Sequence, residues 1–265
     1  MQFKRKVWNF YKKNKRDFPW RNTTDPYKIL VSEVMLQQTQ AERVIEYYAR
    51  FLKRFPSFKS LSRARFGDVY EVWQGLGYNR RAMALKKTAE AVLKEHQGKL
   101  PTDHESLVSL PGIGPYTANA IMAFSWNKPV VCIETNIRRV YIHHFFPKKK
   151  VVREEDISRL ASQNVSKEKS REWHWALMDY GAFLKSYIQN PNRRHKDYII
   201  QSKFEGSNRE IRGLILKNLA KNKMTFPQLV KVTQKKVTLL KKVLVQLEKE
   251  ALVGYHPAQE TFHLN

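Results

Sequence analysis

The sequence holds a single cysteine, Cys132, in 265 residues. One thiol supports neither an intrachain disulfide framework nor a cysteine metal cluster, and it fits a reducing compartment. No apolar run approaches the roughly 20 residues that a bilayer span requires, so no membrane partner is expected. The N-terminal stretch MQFKRKVWNFYKKNKRDFPW is charged throughout and lacks an apolar core, so it does not read as a secretory signal. Acidic residues are scarce: 24 stand against 49 lysines and arginines, a formal net charge of +25. That excess points to an anionic partner, with nucleic acid ahead of an anionic membrane. Hydrophobic residues make up 42% of the chain, which supports a packed core and excludes disorder at this charge.

Strand-like alternation is scarce before residue 250, while proline, glycine and polar clusters divide the chain into helix-length segments. Residues 27–53 read as one helical stretch, and 57–74 and 80–96 as two more. A short helix at 103–109 leads into Leu110-Pro111-Gly112-Ile113-Gly114, and an apolar helix runs from Pro115 to Phe124. Residues 136–145 and 171–184 are further helices. The fold class is therefore mainly α. Helical periodicity lapses over 188–207, which reads as a basic linker. Residues 208–265 then resemble a small winged-helix-like domain, with helices at 208–221, 225–232 and 234–252. Val237, Leu240, Leu244 and Leu247 form one apolar stripe. Two short strands follow Gly254. From residue 207 onward there are 11 basic and four acidic residues, which suits either DNA contact or protein docking.

Two glycines flanking one apolar residue allow a tight hairpin that side chains would block, or else form a plain glycine turn. Such a hairpin leaves backbone N–H groups bare at the start of the next helix, where they bind phosphate. Gly112, Gly114 and Thr117 are the candidate DNA-backbone contacts.

This hairpin, with the small-residue helix after it, resembles the helix-hairpin-helix of DNA repair glycosylases. Phe18-Pro19-Trp20-Arg21, Asp25-Pro26-Tyr27, Ser32-Glu33-Val34-Met35-Leu36-Gln37-Gln38-Thr39, Gly75-Leu76-Gly77-Tyr78 and Met178-Asp179-Tyr180-Gly181-Ala182 occur in the same family's order. Together they resemble the MutY-type adenine DNA glycosylases over about residues 15–184. The resemblance implies a helix-hairpin-helix glycosylase domain over 1–187. One six-helix lobe would span about 27–132, and a second lobe would combine the N-terminal segment with 133–187. It implies a monomer acting on double-stranded DNA that contains a mispair, nucleoid-associated in the cytoplasm. The reaction expected is removal of adenine opposite 8-oxoguanine or guanine. Two alternatives stay open: a thymine/uracil–G mismatch glycosylase, against which Gln37 and Gln38 argue, and a non-catalytic DNA-binding protein.

Glu33 has Ile29, Leu30 and Leu36 at i−4, i−3 and i+3, so its helix face is apolar. Burial there raises a carboxyl pKa and suits a general acid. The resemblance assigns Glu33 to protonating the departing base. It also implies a second carboxylate facing the oxocarbenium-like sugar. The family carries aspartate there; this chain reads Ile133-Glu134-Thr135-Asn136, which offers Glu134, whose other reading is a helix-capping acid. Asn136 would orient the carboxylates or the water. Tyr116 occupies the position of the lysine of lyase-active relatives, so base removal without strand cleavage is expected; its other reading is aromatic packing. The resemblance places Gln38 and Tyr78 in the duplex beside the lesion, and Trp20, Arg21 and Asp179 around the extruded adenine, with Gln37 a further substrate contact.

The family's four-iron cluster is excluded, because FLKSYIQNPNRRHKDY contains no cysteine and no cofactor is expected. Packing of Tyr187, Ile188 and Tyr198 is expected to hold that loop, with Arg193, Arg194 and Lys196 free to grip phosphate. The 60 or so residues after the linker are too few for the family's 8-oxoguanine-recognition domain. His143 and His144 read as structural, and no metal site is apparent.

Overall fold

The computed structural model describes residues 2–201 and 203–265. The helices are α1 (Gln2–Asn14), α2 (Pro26–Leu36), α3 (Ala41–Arg54), α4 (Phe58–Arg63), α5 (Phe66–Trp73), α6 (Arg80–Glu95), α7 (His104–Ser109) and α8 (Pro115–Trp126). They continue as α9 (Thr135–Phe145), α10 (Glu154–Asn164), α11 (Ser170–Tyr187) and α12 (Asn208–Leu219). Strand β1 (Met224–Thr225), α13 (Phe226–Thr233), α14 (Val237–Lys249), β2 (Val253–His256) and β3 (Thr261–Leu264) complete the order. No helix among the described residues is long and apolar enough to cross a membrane.

The chain forms two compact units. The first comprises residues 2–30, 102–108 and 113–200. Its core gathers Val7 from α1, Val140 and Tyr141 from α9, Ile157 from α10, and Trp173 and Leu177 from α11. Helix α1 joins because Phe3, Val7, Phe10 and Tyr11 recur at i, i+4, i+7 and i+8, which is one helical face. Helix α10, not marked in the sequence reading, turns Ile157, Leu160 and Ala161 toward the core at i, i+3 and i+4. Glu154, Glu155 and Asp156 fill its first turn, where they complement the positive end of the helix dipole.

Helices α9 and α11 of this unit are in very close contact at one point. A Cβ on Gly181 would lie 2.2 Å from the Asn136 carbonyl oxygen. Only glycine permits this approach, which accounts for the glycine of the Met178–Ala182 segment. Gly181→Ala must part the two helices, and the expected loss is about 3 kcal/mol, the upper end of the usual cost of overpacking. Urea unfolding checks it; a loss under about 0.5 kcal/mol, the ordinary surface-substitution range, would mean the helices have slack.

The second unit comprises residues 31–101, 109–112 and 201–265. The stretch 27–53, read as one helix, is two: α2 ends at Leu36, and Gln38 takes a left-handed φ of 56° before α3 begins. Residues 57–74 likewise divide at Ala64–Arg65, with α4 packing on α6 and α5 on both α3 and α6. Neither break carries a proline or glycine, so helical periodicity runs through both.

After α12 the C-terminal part follows the order strand, helix, helix, hairpin, and its sheet order β1-β3-β2 is antiparallel throughout. Its core contains Ile211, Ile215, Leu229, Leu240, Leu244 and Leu247, whereas Val237, placed on the same stripe, is 45% exposed at the first turn of α14. Strand β1 was not expected. Its Thr225 also caps α13 in a reciprocal pair with Gln228, a Thr-x-x-Gln pattern legible in the sequence.

Candidate active site

Helix α2 carries Glu33. Tyr27, Ile29, Leu30, Val31, Ser32, Val34 and Met35 are all buried, so the helix is enclosed on every face. Glu33 itself is 5% exposed. A carboxyl held there is kept from bulk water.

The end of α2 is shaped by Arg81, which the sequence reading did not single out. Arg81 is buried, and its guanidinium donates to the carbonyls of Val34 (3.0 Å), Met35 (2.9 Å) and Gln37, to the Thr39 hydroxyl (3.2 Å), and to the Gly77 carbonyl (3.1 Å). These carbonyls would otherwise be unsatisfied at the helix end. Arg81 also lies 5.3 Å from the centre of the Tyr78 ring. One cation thus fixes both turns that present Gln37, Gln38 and Tyr78. Burial lowers the Arg81 pKa to about 10, so it stays charged at neutral pH. Tyr78, like Gln38, has a left-handed backbone, at φ 49°.

The hairpin glycines differ in role. Gly112 has φ 77°, and a Cβ there would lie 2.6 Å from the Ala84 Cβ, so a side chain is excluded by both conformation and space. The Thr88 hydroxyl donates to the Pro111 carbonyl beside it. Gly114 instead has ordinary φ −90°, and a Cβ there meets nothing within 4 Å. The expectation that a side chain would be blocked at both glycines therefore holds only for Gly112. Gly114 is the uncapped N-cap of α8, with open space before the helix start. Thr117, two residues into the same helix, is 3% exposed, so its side chain is turned away from solvent. Tyr116, in the first turn of the same helix, is half-buried.

Glu134 is the N-cap of α9. One carboxylate oxygen accepts the Ile137 N–H at 2.9 Å, and the other accepts the Asn136 side-chain amide at 3.1 Å. The helix-capping reading and the functional reading thus fall on the same carboxylate. Asn136 is held in turn by Arg139, whose guanidinium donates to the Asn136 side-chain oxygen at 2.6 Å and to the Gly181 carbonyl at 2.8 Å. Desolvation raises the Glu134 pKa; the Asn136 and Ile137 backbone N–H groups and the Arg139 and Arg138 guanidinium groups oppose the rise without cancelling it.

The segment before Glu134 is tied down on both sides. The Asn119 amide donates to the Val131 carbonyl at 3.0 Å. The Cys132 N–H donates to His174 Nε2 at 3.2 Å, while His174 Nδ1 lies 2.7 Å from the Ser170 carbonyl. Burial lowers the His174 pKa to about 4, so the ring is neutral and can do both. From the other side, Asn192 in the cysteine-free loop donates to the Thr135 carbonyl at 3.0 Å.

That loop is not held as expected. Tyr187 is 71% exposed and Tyr198 is 38% exposed, and only Ile188 joins the core. Buried Asn192 and Arg194 hold it instead. The Arg194 guanidinium donates to the carbonyls of Phe146, Pro147 and Lys149, so it is not a free phosphate grip. The MutY-type resemblance implies an iron–sulfur cluster here, and the residues do not fit one: the loop has no thiolate, and polar contacts close it. Among the described residues no three His, Cys, Asp or Glu side chains are grouped to hold a metal. His144 donates to or accepts from the Tyr180 hydroxyl at 3.0 Å, a structural contact.

Trp20, Arg21 and Asp179 do come together, in the first unit. Buried Trp20 stacks on Phe18 with centroids 5.0 Å apart. The carboxylate of Asp179, 1% exposed, accepts four hydrogen bonds of 2.7–3.0 Å: the Arg16 N–H and Nε, and both terminal nitrogens of Arg21. Asp179 is thus committed to Arg16 and Arg21, and this cluster ties the 16–21 segment to α11.

A profile of the HhH-GPD superfamily of base excision DNA repair proteins matches residues 31–167. The chain belongs to that superfamily. It is 42% identical over 132 residues to the adenine DNA glycosylase of Mycobacterium tuberculosis, which is 49% of this chain and 43% of that protein. The match therefore spans less than half of that relative. It is 30% identical over 189 residues to the thymine/uracil-DNA glycosylase of Methanothermobacter thermautotrophicus, which is 68% of this chain and 86% of that protein. Among solved structures, a thermostable thymine-DNA glycosylase superposes with a TM-score of 0.63 at 26% identity, covering 72% of this chain and 90% of that one.

Proposed function

We propose that this HhH-GPD protein acts as a monomer on double-stranded DNA and hydrolyses the N-glycosidic bond of adenine mispaired with 8-oxoguanine or guanine, without a cofactor. The observation that carries the reading is Glu33, a buried acid on a buried helix that is followed directly by the paired Gln37 and Gln38. The identity to adenine DNA glycosylases supports it further.

In this account the adenine is flipped out of the duplex, with Gln38 and Tyr78 filling the vacated space. Glu33 donates its proton to a ring nitrogen of adenine. The glycosidic bond breaks, its electron pair leaves with the base, and free adenine departs neutral. The Glu134 carboxylate faces the positive sugar that remains, and Asn136 keeps that carboxylate aimed. Water adds to the sugar carbon and loses a proton, leaving an abasic site. Tyr116 offers no amine, so the strand is not cut. The hairpin at Gly112 and Gly114 grips a phosphate through backbone N–H groups.

Glu134 sets a pH dependence. Only its anion stabilises the sugar cation, and its raised pKa keeps it protonated at pH values where an ordinary glutamate is charged. The rate therefore falls, as pH is lowered, earlier than an ordinary glutamate would dictate. Single-turnover rates across pH check this: Glu134→Gln is expected to lose about 10²–10³-fold, the range for losing one such electrostatic group, and to flatten the acid limb. An acid limb unchanged in Glu134→Gln would assign it to another group.

A second reading, thymine or uracil removal opposite guanine, draws on the longer match to the Methanothermobacter protein. Thymine and uracil offer no comparably basic ring nitrogen, so a buried acid at Glu33 serves adenine better. A duplex carrying one A·G and one T·G pair decides between them. Chromatography of the released base is expected to show adenine alone; thymine alone would replace the first reading with the second.

A further inference from the structure

Within the second unit, a groove of about 930 Å³ opens beside Tyr78. One wall is formed by the Gln38–Arg43 and Gly75–Arg80 turns. The other is formed by residues outside the glycosylase segment: Gln201, Phe204, and Arg209, Arg212 and Lys217 of α12. The Tyr78 hydroxyl meets the Gln201 side-chain amide and Arg209 Nη1, the latter at 3.2 Å. The C-terminal segment therefore reaches the residue that, on the reading above, enters the duplex at the lesion.

The lining has three properties of a nucleotide site. It is cationic: Arg43, Arg80, Arg209, Arg212 and Lys217 face one acid, Glu250, which is already paired with Arg212. It has aromatic faces, Tyr78 and a Phe204 that is 58% exposed, on which a base can stack. It has carboxamides, Gln38 and Gln201 among them, which both donate and accept and so can meet a base edge. The volume falls within the usual range for sites that enclose a small ligand, roughly 300–1,000 Å³.

We propose that this groove takes the nucleotide on the opposite strand, the one facing the vacated adenine, and that Phe204 and Arg209 make its recognition a property of the C-terminal unit. This rests on the glycosylase reading, which places Tyr78 and Gln38 at the lesion. The base stacks on Phe204, the amides of Gln201 and Gln38 meet its edge, and Arg43, Arg80 and Lys217 neutralise the flanking phosphates.

The test is binding without chemistry. Duplexes carry a non-cleavable abasic analogue opposite 8-oxoguanine, guanine, cytosine or no base, and affinities for the full chain are read by fluorescence anisotropy at one salt concentration. For the wild type the affinities are expected to spread by tenfold or more, because a wrong base costs about 1–3 kcal/mol. Phe204→Ala and Arg209→Ala, shown by thermal melting to be folded, are expected to compress that spread to about twofold. A wild type indifferent to the opposite base overturns the proposal. So does an equal loss of affinity for every duplex in both variants, which would mean backbone gripping only. No mispaired adenine is present in these duplexes. A compressed spread alongside thymine release in the base-identity assay would uphold the groove while removing the adenine reading.

Discussion

Glu33→Gln is expected to bind an A·G duplex within about twofold of the wild type while releasing adenine roughly 10³-fold more slowly, in the middle of the range for losing a general acid. Glutamine keeps the length and the hydrogen-bonding ends of the side chain but has no proton to give. Glu33 is 5% exposed in a helix enclosed by Ile29, Leu30, Val34 and Met35, so no bulk-water proton reaches its position easily. Single-turnover rates paired with anisotropy read both quantities. Turnover within tenfold of the wild type would take the acid role away from Glu33. Lost affinity with unchanged chemistry would make it a structural residue.

Asp179→Asn carries the largest expected effect on stability, about 3–5 kcal/mol, because it leaves buried guanidinium charge without a partner. Asp179 accepts four hydrogen bonds from Arg16 and Arg21. Asparagine removes the charge and turns an NH₂ toward two cations. Set against the 5–15 kcal/mol by which typical domains are stable, a loss of that size leaves little margin. The Arg21 side chain is 7% exposed and that of Arg16 is 33% exposed, so Arg21→Gln is expected to cost more than Arg16→Gln. Urea denaturation of the three variants gives the order. A cost below about 1 kcal/mol for Asp179→Asn, no more than an average point mutation, would mean that the cluster is not what ties the 16–21 segment to α11.

What the sequence made legible follows from how local each feature is. The burial of Glu33 was readable because Ile29, Leu30 and Leu36 lie within one turn of it. The Gly112 turn was readable because glycine at that spacing has a local meaning. The end of α2 was not, because it depends on Arg81, whose guanidinium arrives from more than 40 residues away and satisfies carbonyls that a longer helix would have used itself. Its position three residues after Tyr78 was the one available signal, and an arginine at a helix start ordinarily reads as solvent-exposed. The cysteine-free loop was misread for a related reason. Tyr187 and Tyr198 looked like packing residues, but Asn192 and Arg194 carry the contacts through backbone carbonyls, which no side-chain pattern reveals. Asp179 showed the opposite limit. Its family position was legible, yet its engagement with Arg16 and Arg21 appears only when residues about 160 apart are brought together.

The measurement that tests the account most directly is a single-turnover assay of the wild-type chain on duplexes bearing adenine opposite guanine or 8-oxoguanine, developed with and without alkali. The account predicts first-order accumulation of alkali-labile sites, with intact strands when alkali is omitted. No alkali-labile site in either adenine duplex, under conditions where thymine or uracil opposite guanine is removed, would contradict it.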